Sequence, residues 1–91
     1  MLIRSQDNKK LINLNSVKSI SITKYDKTIE IWCDGSLLAE YSTEEKAIKV
    51  LDMIEAHYNE PIYSNHESKE ETAHYLRATF QMPADDEVED D

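Results

Sequence analysis

The chain has 91 residues, one cysteine, one glycine and a formal net charge of −9. Its length fits one small domain, its lone cysteine excludes an internal disulfide, and no apolar run approaches the roughly 18 residues that cross a membrane. Because dinucleotide-binding and P-loop folds need several glycines near phosphate, both are excluded.

The first half of the chain predicts short strands that are joined by polar turns. Apolar residues alternate with polar ones from Val17 to Lys24, so one side of that strand is predicted to be buried. The Asp34-Gly35 pair predicts a two-residue hairpin of type I′. Hairpin connections of this length favour an antiparallel meander without a parallel crossover. The predicted strands span residues 2–3, 11–14, 17–24, 28–33 and 37–41.

A helix is predicted over residues 43–58. Ser42 and Glu45 have the spacing of a capping box, and Pro61 lies beyond the predicted end. Its apolar residues recur at the spacing of one helical face: Ala47, Val50, Leu51, Ile54 and Tyr58. That face needs a cover, which we expect to be the sheet.

Beyond the helix, residues 60–74 are predicted to form a long polar loop. Alternation resumes from Tyr75 to Met82, which predicts a last strand that returns to the sheet, and Pro83 ends it. Residues 84–91 are almost entirely acidic and are predicted to be a disordered tail that buries nothing. The predicted domain is therefore residues 1–83, followed by the tail.

The predicted fold is α+β, with an antiparallel sheet of five or six strands, open or curled into a roll, packed by one helix. The predicted core is apolar and is drawn from every strand and from the helix. It consists of Ile3, Ile12, Leu14, Val17, Ile20, Ile22, Ile29, Ile31, Leu38, Ala47, Val50, Leu51, Ile54, Leu76, Ala78 and Phe80.

The residues that could carry chemistry are few. Cys33 alternates with Ile29 and Ile31, so we expect a core residue and no nucleophile. The three histidines lack the spacing of a zinc helix, although His66 and His74 share the acidic loop, where a solvated loop and a weak surface metal site are both possible interpretations. We predict no catalytic residue, no cofactor and no metal, and therefore no enzyme.

The residues that could bind a partner are aromatic and acidic. Trp32 falls on the side of its strand opposite Ile29 and Ile31, so it is either partly exposed as an interface anchor or covered by the N-terminal strand or a curled sheet. The predicted partner-binding residues are Tyr25, Trp32, Glu60, Tyr63, Glu67, Glu70 and Glu71.

Charge is unevenly distributed along the sequence. Residues 1–29 hold six basic residues against two acidic ones, a net +4, and residues 30–91 hold four against seventeen, a net −13. This balance disfavours direct binding to a phosphate backbone. A solubilising surface and a surface that imitates a polyanion both fit it.

A resemblance can be drawn from four stretches, which together cover most of residues 1–83. They are Ile3 to Asp7 with Leu11 and Asn13, Tyr41 to Ala47, Val50 to Asp52 with Ile54, and Phe80 to Pro83. These stretches resemble a group of small, largely uncharacterised phage and prophage proteins of Gram-positive bacteria. The resemblance implies a protein that acts by binding host machinery, because some small acidic phage proteins inhibit nucleases by mimicking DNA. The loop of residues 60–74 is longer than the group's usual connection.

We therefore expect a non-catalytic, acidic protein-binding module in the cytoplasm of a host cell. Its expected partner is a basic host protein, most specifically a defence nuclease such as a CRISPR effector or a restriction enzyme. One alternative is a small regulator or assembly factor that self-associates as a homo-oligomer. The other is a weak nucleic-acid binder that uses the basic residues of the N-terminal strands. No membrane association is expected.

Overall fold

The computed structural model describes residues 1–59 and 79–89, and within them the fold is α+β. The five strands and the helix predicted before residue 60 are confirmed, each to within three residues at either end. Their bounds are β1 Leu2–Arg4, β2 Leu11–Asn13, β3 Ile20–Tyr25, β4 Thr28–Cys33, β5 Ser36–Tyr41 and α1 Glu44–Asn59. A sixth strand, β6, spans Thr79–Gln81, and 3-10 turns lie at Leu14–Ser16 and Asp85–Glu87.

The strands form two sheets of three, so the prediction of one sheet of five or six strands is wrong for the described residues. The first sheet has the order β2-β1-β6 and the second has the order β3-β4-β5. The division falls after β2, where Leu14–Ser16 forms a 3-10 turn and the Asn13 side chain accepts a hydrogen bond from the Asn15 backbone N–H. That turn leads the chain away before β3 can join the first sheet.

One strand pair is parallel, which the expected meander did not include. Leu2 lies opposite Thr79 and Arg4 opposite Gln81, so β6 runs beside β1 in the same direction. Hairpin signals describe only neighbouring strands, whereas β6 reaches β1 after α1 and residues 60–78 have intervened. The last strand therefore joins the first sheet and does not extend the second.

One core cluster joins α1, β4 and β5 with Ile3 of β1, Phe80 of β6, Met82 and Val88. Of the predicted core residues, six are only partly buried, namely Ile12, Leu14, Val17, Ile20, Ile22 and Leu51, while Leu76 and Ala78 lie outside the described residues. The remaining eight predicted residues are buried, and Cys33 is buried as expected. The sequence prediction missed four further buried residues: Ala39, Tyr41, Met82 and Val88.

The cap of the helix lies one residue later than predicted. Thr43 Oγ1 accepts the Lys46 backbone N–H at 3.1 Å, so Thr43 is the side-chain cap of α1 and the predicted capping box of Ser42 with Glu45 is wrong. Ser42 has another partner, because its backbone N–H and its hydroxyl both donate to Asp85 Oδ1. No helix within residues 1–59 and 79–89 has both the length and the apolar character needed to cross a bilayer.

Residues 84–89 have defined positions, in contrast to the disordered tail predicted from residue 84. Val88 is buried, Asp85 is held at the start of α1, and the Glu87 carboxylate accepts the Ala84 N–H at 2.8 Å. Acidic composition alone predicted a solvated run, but buried Val88, the Ser42 donors at the start of α1 and both lysines of α1 hold this segment.

The Asp34-Gly35 turn connects β4 to β5 but is not of the predicted type I′. Asp34 has a φ of 53°, whereas Gly35 lies outside the left-handed region, and type I′ needs both residues there. The Asp34 carboxylate accepts the backbone N–H groups of Lys18 and Ser19, and its own N–H donates to the Ser19 carbonyl. These bonds stabilise the left-handed conformation at the aspartate.

Candidate functional site

The predicted partner-binding residues divide between described and undescribed parts of the chain. Tyr25 and Trp32 are described, and both lie on the side of the second sheet opposite α1. The other five, Glu60, Tyr63, Glu67, Glu70 and Glu71, lie outside the described residues, as do His66 and His74.

The strand register defines the face on which Tyr25 and Trp32 lie, which we call the open face. Residues that are paired directly across neighbouring strands point to the same side of the sheet. The cross-strand partners of the buried Ile29, Ile31 and Cys33 therefore point toward α1 with them. The open face consists of Ser21, Thr23, Tyr25, Thr28, Glu30, Trp32, Leu37 and Glu40. Its members are exposed or half-buried, and Tyr25 is 70% exposed.

Trp32 is the half-buried centre of this face. It lies between Ser21 of β3 and Leu37 of β5, and its indole Nε1–H donates to Glu30 Oε1 at 2.9 Å. The first sheet contains the N-terminal strands, so the structure favours the partly exposed position over burial under β1 or in a closed roll. The indole N–H is hydrogen-bonded within the protein. The exposed part of the ring is left for contact with another molecule.

Two carboxylates are opposed directly across β4 and β5. Glu30 and Glu40 are register partners on the open face, where residues in this relationship have Cβ atoms about 4.5–5.5 Å apart. Like charges in this position destabilise a sheet. A β-bulge between Ile31 and Trp32 shifts the register, so the pairing was not visible in the sequence.

A groove of about 250 Å³ adjoins this pair at the outer edge of β5. Gln6, Asp7 and Glu40 line it together with residues 37–39, so Glu40 belongs to both the groove and the open face. A hydrogen bond from the Ser5 hydroxyl and one from the Lys9 N–H lower the pKa of the Asp7 carboxyl. Two acidic residues, Asp7 and Glu40, therefore line the groove.

The second acidic region combines α1 with residues 84–89, and we call it the helix–tail surface. It contains eight acidic residues against two lysines, a net charge of −6, whereas residues 1–43 contain five acidic and six basic residues, a net +1. Its acidic members are Glu44, Glu45, Asp52, Glu55, Asp85, Asp86, Glu87 and Glu89.

Both lysines of α1 bind the C-terminal segment. Lys46 Nζ lies 3.5 Å from Asp85 Oδ2 and donates to the Asp85 carbonyl, and Lys49 Nζ donates to the Glu89 carbonyl. The hydrogen bonds from Ser42, followed by the charge of Lys46, lower the pKa of Asp85. These contacts hold the two acidic stretches side by side.

The Cys33 thiol and the Tyr41 phenol are both buried. Burial raises the pKa of the Cys33 thiol, and the neighbouring Asp34 charge adds to this rise. Burial also raises the pKa of Tyr41 far above its usual range, the charges of Asp85 and Glu87 add to it, and the Tyr41 hydroxyl donates to the Pro83 carbonyl at 2.7 Å. Both groups remain protonated at neutral pH and act as packing residues.

Metal-ligating side chains do not converge in the described part of the chain, where no group of three or more His, Cys, Asp or Glu residues could hold an ion. His57 packs edge-on against Phe80, with ring centroids 5.6 Å apart, so this imidazole has a structural contact. The described residues thus form two acidic surfaces, and the open face also carries the aromatic side chains of Tyr25 and Trp32.

Comparison with protein-family models, with curated proteins and with solved structures finds no match for this chain.

Proposed function

We propose that this chain is a non-catalytic protein-binding module whose helix–tail surface engages a basic partner protein. In its most specific form, the protein is of phage or prophage type and inhibits a host defence nuclease, such as a CRISPR effector or a restriction enzyme. It would do so by occupying the surface of the nuclease that otherwise binds the phosphates of DNA.

The observation that supports this proposal is the separation of charge within the described residues. The helix–tail surface has a net charge of −6, while residues 1–43 are nearly balanced. Lys46 and Lys49 donate hydrogen bonds to carbonyls of the C-terminal segment, so both cations of this region make intramolecular contacts. A surface with one sign of charge attracts the opposite sign and speeds association at low ionic strength.

The test is a DNA-cleavage assay with a purified restriction enzyme or CRISPR effector and the full chain. We expect inhibition that is competitive with DNA and that weakens as the salt concentration rises, because salt screens the charges of both surfaces. Asp52→Asn combined with Glu55→Gln removes two exposed charges from α1 and should raise the inhibitory concentration several-fold, a loss of about 1 kcal/mol.

The matched control is Glu30→Gln combined with Glu40→Gln, which removes the same amount of charge from the open face. This control should inhibit as well as the parent protein. Inhibition that does not respond to salt, or that is equally weakened by both double variants, would contradict a role for the helix–tail surface. An absence of inhibition across a panel of DNA-cleaving enzymes would contradict the nuclease partner.

A further inference from the structure

The open face is a sheet surface with a defined centre. On the opposite side of the second sheet, α1 packs against β4 and β5 and buries Ile29 and Ile31. On the open face, Trp32 and Glu30 are half-buried, whereas Glu40 is exposed. An aromatic ring and two carboxylates thus lie together on rigid strands.

The geometry around Trp32 restricts what can bind there. Its Nε1–H is already donated to Glu30 Oε1 at 2.9 Å, so the indole does not need a hydrogen-bond acceptor from a ligand. The ring surface attracts cations through its quadrupole, and the attraction strengthens when the cation is partly desolvated. A ligand for this position is therefore flat or apolar on one side and positively charged.

The carboxylates beside the ring add a second restriction. Glu30 and Glu40 are direct cross-strand partners. The backbone of Glu40 is fixed because both its N–H and its carbonyl are bound by the Gln6 side chain. Two fixed strands therefore present adjacent negative charges, whose repulsion a bound cation would relieve.

A guanidinium group satisfies both restrictions better than an ammonium group. It is planar, it stacks on aromatic rings, and its fork of N–H donors can bridge two carboxylates. We infer that the open face binds an arginine side chain of a partner protein, stacked on Trp32 and hydrogen-bonded to Glu30 and Glu40. This inference concerns a different surface from the helix–tail surface and does not depend on it.

The groove at the edge of β5 extends the same surface. Glu40 lines it together with Asp7, so a second basic residue of an extended partner segment would enter between these two carboxylates. Lys9 and Lys10 are the cations that act on Asp7, and Lys10 Nζ also donates to the carbonyl of Leu37 at 3.4 Å. Three carboxylates against two lysines leave the combined surface with a net charge of −1, which favours a basic partner segment.

Trp32 is the only tryptophan in the chain, so its fluorescence reports on the open face alone. The experiment titrates the full chain with a blocked peptide containing two arginines separated by one glycine, and with the same peptide containing lysines. We expect a saturable change of Trp32 emission with the arginine peptide and binding weaker by about threefold or more with the lysine peptide, because lysine cannot stack and bridge in the same way.

Two charge-matched variants locate the binding. Glu30→Gln combined with Glu40→Gln should weaken binding of the arginine peptide about tenfold, since it removes both ionised acceptors. Asp52→Asn combined with Glu55→Gln should change it less than about twofold, since those residues lie on α1. Far-UV circular dichroism of both variants shows whether the fold is kept, and the indole N–H resonance of Trp32 gives a second measure of binding.

Three outcomes would overturn the inference: no saturable change of Trp32 emission with the arginine peptide, equal affinity for the two peptides, or equal loss in the two double variants. The last two would indicate attraction by net charge alone. The Asp52 and Glu55 double variant is expected to weaken nuclease inhibition, and the Glu30 and Glu40 double variant is expected to weaken peptide binding. A failure of this inference is therefore distinguishable from a failure of the proposed function.

Discussion

Gln6 and Glu40 are joined by two hydrogen bonds that run in opposite directions. Gln6 Oε1 accepts the Glu40 N–H at 3.0 Å, and Gln6 Nε2 donates to the Glu40 carbonyl at 3.1 Å. Nε2 also donates to the Pro83 carbonyl at 3.0 Å, and the Gln6 backbone N–H donates to the Leu38 carbonyl. The Gln6 side chain therefore forms the same pair of hydrogen bonds with β5 that a neighbouring strand would form. Through Pro83 it also connects both sheets to the segment that follows β6.

Replacing Gln6 with alanine should lower the free energy of unfolding by about 1–3 kcal/mol. The substitution leaves the Pro83 carbonyl without its partner in a part-buried position, where an unpaired polar group is costly. The two hydrogen bonds to Glu40 are exposed, so water replaces them at a smaller cost. Urea unfolding followed by circular dichroism measures the change.

The control for this substitution is Glu55→Gln, which alters an exposed side chain of α1 and should change stability by less than about 0.5 kcal/mol. A Gln6→Ala variant as stable as this control would mean that water replaces the carboxamide without cost, and the link between the sheets would then contribute little.

The sequence predicted the local elements because their signals are local. Alternation from Thr28 to Cys33 defines β4, and the spacing of Ala47, Val50 and Ile54 defines the buried face of α1. The division into two sheets was missed because it depends on contacts between distant residues, such as Gln6 with Glu40 and β1 with β6. No periodicity within one segment contains that information.

The candidate site was predictable to a similar extent. Alternation placed Trp32 on the side opposite Ile31, which the register confirms. The pairing of Glu30 with Glu40 required the β-bulge between Ile31 and Trp32, and nothing in the sequence marks that position. The acidic composition of residues 84–89 predicted a disordered tail, so their packing against α1 was missed. The apolar side chain of Val88, which is buried, was the signal that could have indicated this packing.

Replacing Asp85 with asparagine should lower stability at neutral pH by about 1 kcal/mol, a modest value because the carboxylate is partly exposed. The folded protein lowers the pKa of this group below 3.8, chiefly through the Ser42 hydrogen bonds. The stabilisation is therefore fully present above the unfolded pKa and is lost as the pH falls through the folded pKa. Unfolding curves across acidic pH measure the difference between variant and parent.

Asp86→Asn is the control for this pH dependence, because Asp86 is the exposed neighbour of Asp85. We expect the curves of Asp85→Asn and parent to converge in acid, while the Asp86→Asn curve follows the parent throughout. A constant offset between Asp85→Asn and parent at all pH values would contradict a stabilising role for the ionised carboxylate.

Truncation tests the docking of the C-terminal segment. A chain that ends after Pro83 loses buried Val88 and the Asp85 contacts with Ser42 and Lys46, so it should unfold about 2–4 kcal/mol more easily. A chain that ends after Glu89 keeps them all and should match the parent. Thermal unfolding of the two truncations compares them, and equal stabilities would show that residues 84–89 contribute nothing.

Gly35→Ala should raise the free energy of unfolding by about 0.4–1 kcal/mol. Gly35 lies outside the left-handed region, and a Cβ placed on it meets nothing within 4 Å. Alanine restricts the unfolded chain without straining the turn, whereas a type I′ turn would make the same change destabilising. Urea unfolding decides between the two turns, and destabilisation by more than about 1 kcal/mol would contradict the conformation described for Gly35.

Replacing Glu40 with glutamine should stabilise the protein by about 0.2–1 kcal/mol, because it removes the repulsion from Glu30 across β4 and β5. The gain should shrink as salt is added, since salt screens exposed charges. Glu44→Gln is the contrasting variant, because a negative charge in the first turn of α1 favours the helix dipole and its loss should destabilise. Opposite signs for these two substitutions at low salt, measured by thermal unfolding, would show that the open face keeps its carboxylate pair at a cost in stability. A destabilised Glu40→Gln variant would mean that the two carboxylates do not repel, and it would remove one reason for a cation to bind there.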